Sequence, residues 1–316
     1  MGKPEHSVTR VRVIASPAPD RILPAIGFRL VSVLAFTAMG ALIQLAEARG
    51  AGLVELLFFR QAGSLPLVLA WVALGPGLAS LRTQRLPAHA LRCAVGLTSM
   101  SFMFGTLLLV PLAEATTLQF TVPIFATILG ALLLGEKTGV HRWSAVIAGF
   151  AGVVIVAQPG SGHIPLIGAA TGLSAALLSA TVSILVRRMG ASEPPATIVF
   201  YFSALSLIPL APLFAWQVEA HDATTWAMLG AIGIVGGVGQ LAMTASLRLA
   251  PVSVVVPMDY SGLLWATLFG YALFAVLPPL STWAGAPIIV ASGLYIVWRE
   301  HRLARGVARA APAVTD

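Results

Sequence analysis

Apolar and polar positions alternate along this chain on the scale of whole membrane crossings. Ten runs of mostly apolar residues occupy approximately 27–46, 54–75, 90–109, 112–134, 142–158, 165–186, 195–216, 224–246, 252–274 and 282–298. A helix of about twenty residues rises roughly 30 Å, the thickness of a bilayer's hydrocarbon core. Short turns separate the runs, among them Gly75-Pro76-Gly77, Gln158-Pro159-Gly160 and Pro278-Pro279. None leaves room for a soluble domain. A bilayer offers no partner to an unpaired backbone group, and a helix satisfies its own. The pattern therefore predicts an all-α polytopic membrane protein with ten transmembrane helices.

Composition supports that prediction. Hydrophobic residues are 58% of the 316, charged residues only 10%, and the mean hydropathy is +0.90. The one cysteine, Cys93, cannot form an intrachain disulfide. A net charge of +7 raises the question of nucleic acid, but the placement of the charge answers it. With the N-terminus inside and the spans alternating, 17 of the 19 basic residues fall on the inner side, Arg29 and Arg92 among them. Arg49 alone lies outside, with Glu47, Glu219 and Asp222, and Arg60 lies within a span. Such a bias sets orientation, so both termini are expected in the cytoplasm and nucleic acid is not a partner. The polar stretch 1–26 lacks a short apolar core followed by a small-residue cleavage site, so the first run is read as a retained span.

The chain also resembles itself. Displaced by 140 residues it pairs Gly96 with Gly236, Pro111 with Pro251, Gly130 with Gly270 and Trp143 with Trp283. Five spans per half is an odd number, so the second half enters the membrane in the opposite sense. Inverted repeats of this kind are the recurring design of secondary carriers, which rock about a site at the midplane. A channel tolerates the same symmetry.

Three local features carry a family likeness. One is the end of span four, from Pro123-Ile124-Phe125 through Leu134-Gly135-Glu136-Lys137. Another is the arginine of Leu57-Phe58-Phe59-Arg60 in span two. The third is Pro257-Met258-Asp259-Tyr260-Ser261 with Leu264-Trp265-Ala266-Thr267 in span nine. Together they resemble the drug/metabolite transporter superfamily, EamA family. The resemblance implies two five-helix repeats, over 27–158 and 165–298, between cytoplasmic tails 1–26 and 299–316. It implies a secondary carrier of small organic solutes in a bacterial inner membrane, often an exporter. The family's second Gly-Glu is absent, since Ala275 and Val276 stand at those positions.

Ionisable groups within spans are costly and are candidates for function. Asp259 is the strongest. The 140-residue displacement sets Gln119-Phe120-Thr121 on Asp259-Tyr260-Ser261, so each half presents polar, aromatic and hydroxyl groups in the same order. Two such clusters about a pseudo-two-fold axis are suited to lining one cavity, where aromatic faces hold flat organic groups and the amide and carboxylate orient them. A carboxylate in such a cavity is suited to exchanging a proton. Its alternative is a bond to Ser, Tyr or backbone across helices. Arg60 is a candidate for a substrate carboxylate or phosphate, or else for pairing with Glu55, Glu114 or Asp259. Trp265, Gln44 and Gln240 complete the polar and aromatic candidates, and Glu136 is expected at a structural or gating position. Gly168-x-x-x-Gly172 and Gly233-x-x-x-Gly237 are read as packing seams. Pro257 predicts a distorted helix just before Asp259.

The histidines all sit in loops, tails or span ends, no metal-ligand cluster or P-loop is visible, and no cofactor is expected. The expected function is a secondary active transporter, exporter or exchanger, of a small organic metabolite, with protons as a candidate coupling ion. Membrane lipid is the expected surrounding, and a homodimer remains open. The rival readings are a channel and an intramembrane lipid-modifying enzyme. The latter needs clustered acids or histidines, and Asp259 is the one acid near the midplane.

Overall fold

The computed structural model describes residues 22–134, 140–158, 164–189, 192–250 and 255–310. Every regular element among them is helical: α1 (Ile22–Glu47), α2 (Leu53–Leu74), α3 (Leu86–Leu109), α4 (Leu112–Gln119), α5 (Val122–Leu134), α6 (Val140–Ala157), α7 (Leu166–Met189), α8 (Pro195–Gln217), α9 (Ala223–Leu249), α10 (Gly262–Phe274) and α11 (Leu280–Ala310), with 3-10 turns at Leu78–Leu81 and Val256–Ser261. Among the described residues eight segments, rather than the ten expected, are long and apolar enough to cross a membrane, one of them, Leu112–Leu132, running through α4 and α5. The chain is a multi-pass α-helical membrane protein.

Two of the expected continuous spans are broken. Pro123 has no N–H for the carbonyl of Gln119, and its ring crowds that carbonyl, so α4 stops there. The chain passes to α5 through tight bonds, Phe120 N to Thr117 O at 3.1 Å and Thr121 N to Leu118 O at 3.2 Å. Pro257 falls in the second break, the 3-10 turn Val256–Ser261 that leads into α10. The distortion expected at Pro257 is present. Its counterpart at Phe120 lies at the position equivalent under the 140-residue displacement. Helix starts also differ from expectation: α1 begins at Ile22 and α3 at Leu86, because Pro24 and Pro87 sit in first turns, where a missing N–H removes no helical bond.

The outward surface carries large apolar side chains, including Leu132, Ile147, Ile208 and Leu264. Hydroxyls concentrate inside, where many return to their own helix. Thr37 donates to Val33 O at 2.8 Å and Thr117 to Ala113 O at 2.8 Å, which satisfies them without water. Among helix pairs, α1 lies on α9 and α3 on α7, α2 contacts α8 and α9, and α6 lies on α11. The expected seams are present. A Cβ added at Gly233 would stand 2.7 Å from Gly63 Cα, and one at Gly172 would stand 2.6 Å from Leu118 Cδ1. At the α1–α2 turn Gly50 adopts φ +94°, which a side chain would oppose.

Candidate functional site

The second break sets its carboxylate, Asp259, against α1. A cavity of about 220 Å³ opens there, with Val33, Phe36, Met103, Leu107 and Met243 as apolar wall. Its charged and amide members are Arg29, Asp259 and Gln119, and hydroxyls of Ser32, Thr37, Thr106 and Thr116 are spread along its wall. Arg29 of α1 meets Asp259 two-pronged, Nε to Oδ1 and a terminal nitrogen to Oδ2, each at 2.5 Å. The Arg29 side chain is 11% exposed and Asp259 34% exposed, the latter on the cavity side. A planar guanidinium on a carboxylate is the arrangement that fixes both groups best. Asp259 thus has a charged partner from another helix rather than the Ser, Tyr or backbone partner weighed from sequence.

A second cavity, of about 350 Å³, lies farther along α1, beside Gln44, Glu47, Glu114 and Phe274. Leu107 and Leu112 line both cavities and form the partition between them. Gly40 makes room for it, since an added Cβ would stand 2.9 Å from Leu112 Cδ1. Arg29 and Gln44 are fifteen positions apart on one helix, about 22 Å by helical rise. The two cavities therefore stack along α1, with a pair of leucines between them and an ion pair at one end.

Among the expected residues, Gln119 and Asp259 share the first cavity, while Gln44 and Glu114 share the second. Gln44 Nε2 donates to Leu107 O at 2.9 Å and to Val110 O at 3.0 Å, holding the end of α3 where its carbonyls have no helical partner. Glu114 is buried and accepts from Thr282 at 3.5 Å. Phe120 and Tyr260 stand edge to face at 5.0 Å and line neither cavity, unlike the cavity-lining aromatics expected from sequence. The hydroxyls of Thr121 and Ser261 are spent on Leu118 O and Met258 O, each at 2.7 Å. Trp265 is partly buried, and its Nε1 and the Tyr260 hydroxyl have no partner among the described residues. Gln240 is half-buried on α9 and lines neither cavity. Arg60 meets none of Glu55, Glu114 and Asp259. It is buried between α2 and α9 and donates to Ser64 Oγ at 3.0 Å. Glu136 lies outside the described residues.

Sequence reasoning missed Arg29, counting it among the charges at the inner surface. Its position in an apolar helix that begins seven residues earlier was the available signal. It also missed Phe36, Met103 and Met243, which look like any other apolar residue of a span. At the rim, Glu55 accepts from Gly52 N at 2.8 Å, Glu219 N at 3.2 Å and the His221 ring at 3.0 Å, fastening the α8–α9 loop to α2. Asp222 begins α9 by accepting from Thr225 N at 2.9 Å. The Thr225 hydroxyl, then its N–H, hold the Asp222 carboxyl below its ordinary range, with smaller help from Arg49 and His221.

Comparison with known proteins agrees with this architecture. The EamA-like transporter family model matches twice, over residues 23–158 and 166–298. A "Riboflavin transporter" of Vibrio cholerae is 32% identical over 72% of this chain and 76% of its own length. The "Pseudopaline exporter CntI" of Pseudomonas aeruginosa is 28% identical over 83% of this chain and 92% of its own. An "S-adenosylmethionine uptake transporter" of Rickettsia felis is 25% identical over 78% and 84%. A protein crystal structure with 20% identity shares the fold, with TM-score 0.59 over 88% of this chain and 98% of that one. The chain belongs to the EamA-like transporter family.

Proposed function

We propose that this member of the EamA-like transporter family is a secondary carrier, an exporter or exchanger, of a small organic metabolite. It sits in a bacterial inner membrane with both termini cytoplasmic, and it works by alternating access between two inverted five-helix repeats, 27–158 and 165–298. The observation that carries the reading is the pair Arg29–Asp259 lining a mostly apolar cavity where two broken helices meet. Such a cavity suits a solute with a flat apolar body and a polar or ionic group at one end. Three further observations support the topology. Helix pairing respects the repeat: the pair α1–α9 maps onto α7–α3 when the halves are exchanged, and α5–α7 maps onto α10–α1. The family model matches once per half. The Lys/Arg bias matches ten alternating spans.

In this mechanism Leu107 and Leu112 close the path on the outer side of the cavity, and Arg29–Asp259 closes the cytoplasmic side. A substrate's polar group, or a proton on Asp259, competes with Arg29 and loosens the inner closure. Substrate release restores the pair. The relatives' names span uptake and export, so direction is assigned by experiment. Proteoliposomes preloaded with amino acids, nucleosides, organic acids, riboflavin and S-adenosylmethionine are assayed for counterflow by mass spectrometry, with and without an inside-acid gradient. Saturable exchange of a few compounds, accelerated by the gradient and insensitive to it in Asp259→Asn, is expected. Non-saturating flux without counterflow would replace the carrier by a channel.

A further inference from the structure

Away from both cavities, a second polar cluster lies between α2, α3, α8 and α9. Arg60 is buried, with one terminal nitrogen on Ser64 Oγ and its Nε without a partner. Arg92 reaches up α3 past Gly96 and lies over the Phe202 ring at 3.7 Å. Its Nε and one terminal nitrogen are covered and have no partner either. Arg60 enters from the Glu55 end of α2 and Arg92 from the opposite end of α3, and their chain neighbours Gln61 and Cys93 meet at one hydroxyl, Ser206 Oγ, at 3.4 Å each. Gln61 lies with them, its Nε2 on Ser206 Oγ at 3.4 Å and its Oε1 unpaired.

No carboxylate among the described residues answers these two cations. Each buried carboxylate is engaged elsewhere: Asp259 with Arg29, Glu55 with His221, Glu114 with Thr282, and Glu193 with Thr83. The Phe202 face offers a partial offset for Arg92. It does nothing for the unpaired N–H donors and leaves Arg60 without compensation. A buried and a partly buried like charge, each with covered spare donors, cost more in a membrane interior than one ring face returns. A negative charge that accepts several N–H bonds complements these donors, and arginine's planar fork suits a compact anion.

We propose that Arg60 and Arg92 form an anion-binding site between α2 and α3, distinct from the cavity at Asp259, that takes a halide or small oxyanion. The anion neutralises the pair and accepts from the free Nε and terminal N–H groups. It bridges α2 to α3, two helices that otherwise have little direct contact relative to α2 with α9. The same chemistry comes from two sources, a free inorganic anion or the carboxylate or phosphate of a solute that enters between these helices.

The test uses purified full-length protein in detergent, with gluconate replaced stepwise by bromide, acetate or inorganic phosphate at constant ionic strength. Saturable stabilisation is expected, a rise in Tm of about 5 °C for an anion at roughly a hundred times its dissociation constant. Arg92→Gln is expected to abolish the response and Arg92→Lys to retain part of it. A bromide response identifies a free-ion site, and a response to acetate or phosphate alone identifies the anionic group of a solute. Crystals of the unaltered protein grown in bromide supply a reading that needs no variant: an anomalous peak between Arg60 and Arg92. Tm values independent of the anion together with no such peak, or an unchanged response in Arg92→Gln, overturn the proposal.

Discussion

Neutralising Asp259 is the most informative perturbation of the inner closure. Asp259→Asn leaves Arg29, 11% exposed, facing an amide across a contact now at 2.5 Å on both prongs. Buried charges deprived of a partner cost about 3–5 kcal/mol, and close charge pairs couple by about 1.5–7 kcal/mol. Asp259 is 34% exposed to the cavity, so solvent screens part of the attraction. The lower end of each range applies: about 3 kcal/mol for either single neutralisation and about 2 kcal/mol of coupling, some thirtyfold. A double-mutant cycle over Asp259→Asn, Arg29→Gln and both, read by unfolding in detergent, measures this directly. The double variant is expected to lose about 4 kcal/mol, less than the roughly 6 kcal/mol of two independent changes, since it removes the orphaned charge. The same proteins in proteoliposomes should lose gradient-driven transport in every case where Asp259 is neutral. Coupling below about 0.5 kcal/mol would refute the ion pair as a closure, because independent sites add to within that amount.

Other perturbations probe the remaining parts. Leu112→Ala thins the partition between the cavities and should raise substrate leak in the absence of exchange partner, measured as efflux from loaded vesicles; unaltered efflux places the outer closure elsewhere. Gly233→Ala forces α9 from α2, since its Cβ would meet the Gly63 backbone, and should cost about 2 kcal/mol in unfolding experiments, with no loss meaning the seam relaxes freely. Glu55→Ala strands two loop N–H groups and His221, and about 3 kcal/mol of destabilisation with faster proteolysis of the α8–α9 loop is expected. The Asp222 cap has a depressed folded value, so its contribution is full above the unfolded pKa and is lost only as pH falls through the folded one. The Tm difference between the protein and Asp222→Ala should therefore persist at neutral pH and shrink in acid below the ordinary carboxylate range.

Membership of the membrane class and the rough extent of most helices were legible along the chain. Those features follow from one-dimensional rules: run length against bilayer thickness, Lys/Arg placement, and the helix-breaking chemistry of Pro123 and Pro257. The internal displacement marked Phe120 and Tyr260 as equivalent, but not that they pack on each other rather than line the cavity. Pairing across the bundle was not. Arg29 and Asp259 are 230 positions apart, and nothing local to either names the other. Arg60 likewise looked available to three carboxylates, and which helix its side chain faces depends on the crossing of α2 with α9 at Gly63 and Gly233. A span's sequence states the energetic cost of each polar group in hydrocarbon. The packing of the other helices decides how that cost is met: by an ion pair at Asp259, by backbone carbonyls at Gln44, by the Ser64 hydroxyl at Arg60 and by the Phe202 ring face at Arg92.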